Sequence, residues 1–260
     1  MIEFTSAQLD AWMAAFFYPL ARILGLLATA PPFSNAALPM QIRLILGLTI
    51  TFALAPALPS LPAVAPGSGA GLMLLAQQML IGLTMGFAMR LAISAVDFAG
   101  EAISLQMGLG FATFYDPQNT SQTPVISEFV SLLALLILLS INGHLMILAT
   151  LAQSFSALPV GGTSLAPGTW SNLAYAGAVV FATGLLLALP VICAMLITNI
   201  ALGVLTRAAP QLNLFAVGFP ITLIGGFVVL ILSLGYLATP ITQLFEYGLQ
   251  AMLGHFVPNR

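Results

Sequence analysis

Long apolar runs almost free of charge limit what this chain can become more than any other feature. The stretch from Trp170 to about Thr206 contains no acidic or basic side chain, and runs of similar character recur from Ala11 to Ala238. Only 5% of the 260 residues are charged, and 60% are hydrophobic. A soluble domain carries about 25% charged residues, because its surface has to stay wetted. A monomer of this length cannot bury so much apolar surface inside itself, so lipid or protein partners must cover the rest. The chain is therefore expected to be an integral membrane protein.

An α-helix needs about 20 apolar residues to cross the hydrocarbon core, and the chain offers six candidate helices. The first runs from Ala11 to about Ala30 and stops at Pro31-Pro32. The second runs from about Gln41 to Ala55, before a loop rich in proline and glycine from Pro56 to Gly71. The third covers Leu72 to about Ala95, and the fourth about Val125 to Leu151. After a loop from Gln153 to Gly168, the fifth runs from Trp170 to about Thr206. It is too long for one straight span, and Pro190 is expected to kink it. A polar hinge, Arg207 to Asn213, leads into the sixth, Leu214 to about Ala238. The tail from Thr239 to Arg260 has room for a short interfacial helix through Phe245, Leu249 and Met252. A strand barrel would need short alternating segments, which these runs lack. The fold class is all-α, a membrane protein of about six hydrophobic helices whose last two form a separable hairpin. Glu3 and Asp10 stand where a cleavable signal would carry basic residues, so the first run reads as a retained helix.

The charges exclude several functions. Arg22, Arg43, Arg90, Arg207 and Arg260 are the only basic side chains besides histidine, and there is no lysine. They form no patch for nucleic acid and no polybasic run for anionic lipid. Arg43, Arg90 and Arg207 fall near connections on one side of a six-helix arrangement, which the positive-inside rule would place in the cytoplasm; Arg260 opposes them. His144 and His255 lie far apart, with no set of metal ligands at usable spacing. His144, beside Asn142 and Gly143, reads as a helix-end residue. Cys193 is the only cysteine and reads as a small buried hydrophobe. No phosphate-binding loop or nucleophile motif occurs, so no cofactor, metal or catalysis is expected.

The interval from Asp97 to Pro124 is neither a plain polar loop nor a spanning helix. Asp97 and Glu101 are four residues apart and would share a helix face. Intramembrane carboxylates suggest a proton relay. The blander reading, a wetted helix end or a charge pair with Arg90, is preferred. Met107-Gly-Leu-Gly110-Phe-Ala112 is different in kind. Two glycines at spacing two weaken a helix by about 1 kcal/mol each relative to alanine, and their Met, Leu and Phe neighbours make an apolar loop. Such a loop can seal a passage or simply pack, and the residues alone leave both open. Gly82 and Gly86, and the pair Gly225-Gly226, predict close helix contacts without naming the partner.

These landmarks resemble the FliR family of flagellar export-gate proteins, with the injectisome SctT-like proteins as near relatives. Near the start the resemblance rests on Arg22-Ile-Leu-Gly25, Ala30-Pro31-Pro32-Phe33, Pro39 and Arg43. In the middle it rests on Gly100, Gln106-Met107-Gly108, Phe111-Ala112, Asp116-Pro117 and Pro124-Val125. Near the end it rests on Arg207, Pro210-Gln211, Asn213-Leu-Phe215, Gly218 and Pro220. The resemblance covers essentially the whole chain.

It implies a non-catalytic subunit that assembles with FliP- and FliQ-like proteins into the channel of the flagellar type III export gate, with part of the chain above the bilayer plane. It implies a FliP-like part over 1–168, a FliQ-like hairpin over 169–240 and a C-terminal tail over 241–260. Gln106, Met107, Gly108, Leu109, Gly110, Phe111, Ala112, Phe114 and Asp116 match the family's plug loop, about 106–117. Arg207, Pro210, Gln211 and Asn213 match the hairpin turn, which would face the cytoplasm and meet an FlhB-like switch protein, with an FlhA-like component nearby. Unfolded export substrates pass through, lipid surrounds the assembly, and the location is the bacterial inner membrane at the flagellar basal body. The competing readings are an injectisome gate and a small-solute secondary transporter.

Overall fold

The computed structural model describes residues 5–35, 37–59, 62, 64–110, 124–162, 169–209 and 217–254. Seven α-helices lie among them: α1 (Ser6–Thr29), α2 (Met40–Leu54), α3 (Gly69–Gln106), α4 (Val125–Ser140), α5 (Gly143–Ala157), α6 (Thr169–Ala208) and α7 (Phe219–Gly254). A 3-10 turn, Ala55–Ala57, follows α2, and no strand occurs among the described residues. Five helices are long and apolar enough to cross a membrane, and the bent pair α4–α5 makes a sixth if taken as one span. The chain is an all-α, multi-pass membrane protein.

Three boundaries differ from the sequence reading. The third helix does not stop near Ala95 but carries Asp97 and Glu101 on to Gln106. The expected fourth helix breaks in two, with Asn142 in the left-handed region at φ 56°, a conformation asparagine tolerates better than most residues. The last helix runs through Pro240 to Gly254 rather than ending near Ala238. At Pro190, where a kink was expected, α6 continues without a break. Helices in lipid tolerate proline because neighbouring groups satisfy the freed carbonyl.

The chain divides into two compact units. The first comprises residues 1–91, 142–176 and 245–260. Here α1 starts on a capping box in which the Gln8 amide donates to the Thr5 hydroxyl and the Thr5 amide to the Gln8 side chain. That arrangement satisfies two of the helix's orphan donors. Glycines then let α1 and α3 touch backbone to backbone. A methyl group on Gly82 would lie 2.0 Å from the Arg22 carbonyl oxygen, and one on Gly25 would lie 2.6 Å from that of Met79. The Thr29 hydroxyl adds a bond to the Leu83 carbonyl at 3.2 Å. The Gly82/Gly86 spacing thus finds its partner within the chain. Phe16 and Phe52, 5.1 Å between ring centroids, join α1 to α2.

The second unit comprises residues 92–141 and 177–244. Along α4 the buried positions Ile126, Val130, Ala134 and Leu138 recur every four residues, one apolar stripe of a helix. Gly100 admits α4 so closely that a methyl there would lie 2.4 Å from the Ser127 Cα. Gly184 does the same for α6 against the Ala95 carbonyl, at 2.6 Å. Phe98 and Phe181 meet edge to face beside it, with centroids 5.3 Å apart. Val130, Leu133 and Ile137 of α4 and Leu234, Leu237 and Ile241 of α7 line an apolar cavity of about 110 Å³.

Much apolar surface stays uncovered. Met73, Ile197 and Leu232 are 78%, 69% and 79% exposed. Cys193, expected to be buried, is exposed on α6. An apolar run says that a helix is surrounded by apolar matter, not which flank its own chain covers.

Candidate functional site

The predicted plug begins where α3 ends, in the second unit. The Gly108 amide donates to the Leu105 carbonyl at 3.1 Å and the Leu109 amide to that of Ser104 at 3.1 Å. Gly108 itself sits at φ 82°. This pair of bonds around a left-handed glycine is the Schellman termination, which only glycine adopts without steric cost. Gly108 is therefore a built helix stop. Met107, one residue earlier, is fully buried. Its side chain fills the space left by Gly226 on α7, where an added methyl would lie 2.6 Å from Met107 Cγ, 2.7 Å from Cε and 2.9 Å from Sδ. Gln106, Leu109 and Gly110 are half-buried. Phe111, Ala112, Phe114 and Asp116 lie outside the described residues.

One to three turns earlier on α3 lie the acids. Asp97 is half-buried, and its carboxylate accepts a hydrogen bond from the Ser131 hydroxyl of α4. The Ser127 hydroxyl donates to the Asp97 carbonyl at 3.0 Å. These bonds clamp α4 to α3 next to the Gly100 contact. Glu101 is exposed one turn further on, and Arg90 is exposed seven residues before Asp97 on the same helix. The acids thus have different surroundings despite sharing a helix.

Of the residues expected in the hairpin turn, Arg207 is exposed in the last turn of α6, where a cation complements the negative end of the helix dipole. Pro210, Gln211 and Asn213 lie outside the described residues. His144 stands in the first turn of α5, as its neighbours suggested. Among the described residues no group of three or more His, Cys, Asp or Glu is placed to hold a metal ion.

A second polar centre, in the first unit, received no role from the sequence. Arg22 on α1 is wholly buried. Its Nε donates to Gln78 Oε1 at 2.8 Å, and Nη2 donates to the same oxygen. Nη1 reaches the Ser154 carbonyl at 2.9 Å and the Ser154 hydroxyl at 3.1 Å, and Nη2 reaches the Leu158 carbonyl at 2.8 Å. The Phe155 ring lies under the guanidinium, 4.2 Å from centroid to Cζ, in cation–π contact. Every one of these acceptors is neutral. Ser154 and Leu158 belong to the C-terminal end of α5, so the negative pole of that helix takes the place of a counter-anion. The signal that could have found this centre was a single arginine inside an otherwise apolar run, which is costly in a membrane unless it is fully partnered.

Residues 13–248 match the family described as bacterial export proteins, family 1. The flagellar biosynthetic protein FliR of Escherichia coli (strain K12) is 46% identical over 226 residues, which is 87% of this chain and 86% of that protein. That of Pectobacterium carotovorum subsp. carotovorum is 44% identical over 247 residues, 95% and 93% of the two chains. That of Bacillus subtilis (strain 168) is 33% identical over 185 residues, 69% and 71%.

Proposed function

This chain belongs to family 1 of the bacterial export proteins, the family of the flagellar biosynthetic protein FliR, and from that membership we propose that it is a structural and gating subunit of the flagellar protein export channel. In this reading it assembles with FliP- and FliQ-like subunits in the inner membrane at the flagellar basal body. FlhB- and FlhA-like components adjoin it, and unfolded flagellar proteins pass through. Residues 1–168 form the FliP-like part, 169–240 the FliQ-like hairpin and 241–260 the tail. The chain conducts and seals, and other components supply the energy.

The observation that carries this reading is the length of α6. From Trp170 to Thr206 it bears no charged side chain, and at 1.5 Å per residue that run is about 55 Å long. At the steep end of observed tilts, about 40°, it would still span about 42 Å of depth, whereas the hydrocarbon core is about 30 Å thick. Uncharged, largely exposed helix therefore extends beyond the lipid tails, where protein partners suit it better than water. A solitary solute transporter would leave that surface bare.

The loop after α3 is the seal, an apolar constriction that excludes water until an unfolded chain displaces it. Removing residues 108–111 is expected to leave the complex assembled while making cells expressing it leak ions, measured as conductance across the inner membrane. An assembled deletion variant with unaltered conductance would overturn the sealing role.

A further inference from the structure

Resting on the reading that this chain works as a subunit, we propose that the outward face of the α3–α4 pair, around Glu101 and Glu128, docks a partner helix that presents a basic side chain among apolar ones. Two contacts in the second unit set the register of the pair. The Ser131 hydroxyl bonds the Asp97 carboxylate, and Gly100 admits Ser127 about one turn further along α3. The two helices are therefore antiparallel here. Glu101 and Glu128 directly follow the residues in closest contact. In an antiparallel pair, one residue step of about 100° turns both side chains to the same side, and both are exposed. The Cα atoms of Gly100 and Ser127 lie no more than about 3.9 Å apart, from the 2.4 Å contact plus one C–C bond. Those of the two glutamates are thus within about 11.5 Å of each other.

Order along the pair distinguishes a docking face from a bilayer boundary. At a boundary, exposed apolar side chains end where charged ones begin. Here the glutamates stand between apolar side chains. Leu105 and Val125, 69% and 78% exposed, lie nearer the end of α3 and the start of α4. Exposed Leu132 and Leu136 lie on the other side of Glu128 along α4. A boundary drawn at the glutamates would leave Leu105 and Val125 in water, and one drawn beyond them would put two carboxylates in hydrocarbon. A protein surface that is apolar around a cation suits both kinds of side chain. The charge balance points the same way. The second unit holds four acids, Asp97, Glu101, Asp116 and Glu128, against one arginine, Arg207. No described residue bonds or pairs with Glu101 or Glu128. The matching cation is therefore assigned to the partner.

The complex formed on co-expression with FliP- and FliQ-like proteins provides the test. Glu101→Gln combined with Glu128→Gln is expected to leave the chain's level in membranes and its thermal midpoint in detergent unchanged. Recovery of the assembled complex is expected to fall about tenfold or more, and further with arginine at both positions. Glu246→Gln, at an exposed acid of the first unit, is expected to assemble as the parent does. Carbodiimide coupling of glycine ethyl ester to free carboxylates gives a second reading. Glu101 and Glu128 are expected to be modified in the solubilised chain alone and protected several-fold in the complex. Full recovery of the complex by the double glutamine variant would overturn the proposal. So would equal modification in both forms, which would mark a wetted membrane boundary, or a fall in the chain's own midpoint that accounts for the lost complex. If the parent itself forms no complex, the subunit reading fails and the docking face fails with it.

Discussion

Replacing Arg22 with alanine is expected to remove most of the protein from the membrane at steady state. The variant leaves Gln78 Oε1 and the Leu158 carbonyl without the guanidinium that bonds them. It also takes the cation off the Phe155 ring. Each buried polar group left unpaired costs about 1–3 kcal/mol, and removing one partner of a buried charged cluster costs about 3–5 kcal/mol. The Ser154 carbonyl is less affected, because it keeps the Leu158 amide at 2.8 Å. Arg22→Lys is expected to fare little better. An ammonium keeps the charge but cannot present a planar fork to Gln78, Ser154 and Leu158 together. Arg22→Met combined with Gln78→Leu removes both polar partners at once and is expected to recover part of the loss, since an apolar replacement of a buried cluster leaves fewer unpaired groups. Protein level in membranes and the thermal midpoint in detergent read all three variants. Arg22→Ala at parental level and midpoint would show that the buried cluster contributes nothing.

Gly82→Ala is expected to be almost as damaging, for a different reason. The new methyl would sit 2.0 Å from the Arg22 carbonyl oxygen and 2.9 Å from both the Arg22 carbonyl carbon and the Leu26 amide nitrogen. These are backbone atoms of a helix and cannot swing aside as a side chain would. The two helices must separate, which undoes the Gly25 and Gly86 contacts on the same seam and draws Arg22 away from Gln78. Overpacking costs about 1–3 kcal/mol and more where the backbone must move, and the upper end is expected here. Gly225→Ala, with open space around it, is the matched control. Alanine is the better helix former by about 1 kcal/mol, so that variant is expected to be neutral or slightly stabilised. Because Gly82 and Arg22 act on one contact, their combined variant should lose less than the sum of the two. A Gly82→Ala protein as stable as the Gly225→Ala control would show that α1 and α3 do not pack this way.

The helices themselves were legible because long apolar runs admit one solution in lipid, and the Gly82/Gly86 spacing announced a close contact. Ends and faces were harder. Asp97 and Glu101 suggested that the third span was over, yet a helix continues past the point where its surroundings become polar, and α3 does so to Gln106. The last helix, expected to end near Ala238, runs on to Gly254, and the expected fourth helix breaks at Asn142, whose left-handed backbone no periodicity reveals. Arg22 could be noticed but not understood from the sequence. Its acceptors, on Gln78, Ser154 and Leu158, are 56 to 136 residues away. The same distance hid the match of Met107 to Gly226, where each residue has an ordinary reading until the two are seen together. The resemblance to the FliR family was legible throughout, because it rests on blocks in order and not on any one contact.

Native mass spectrometry of the tagged chain, co-expressed with FliP- and FliQ-like proteins and released gently from the membrane, tests the gate assignment most directly. A discrete complex holding one copy of this chain with several copies of each partner is the expected result. A stable species of this chain alone, in the presence of both partners, would contradict it.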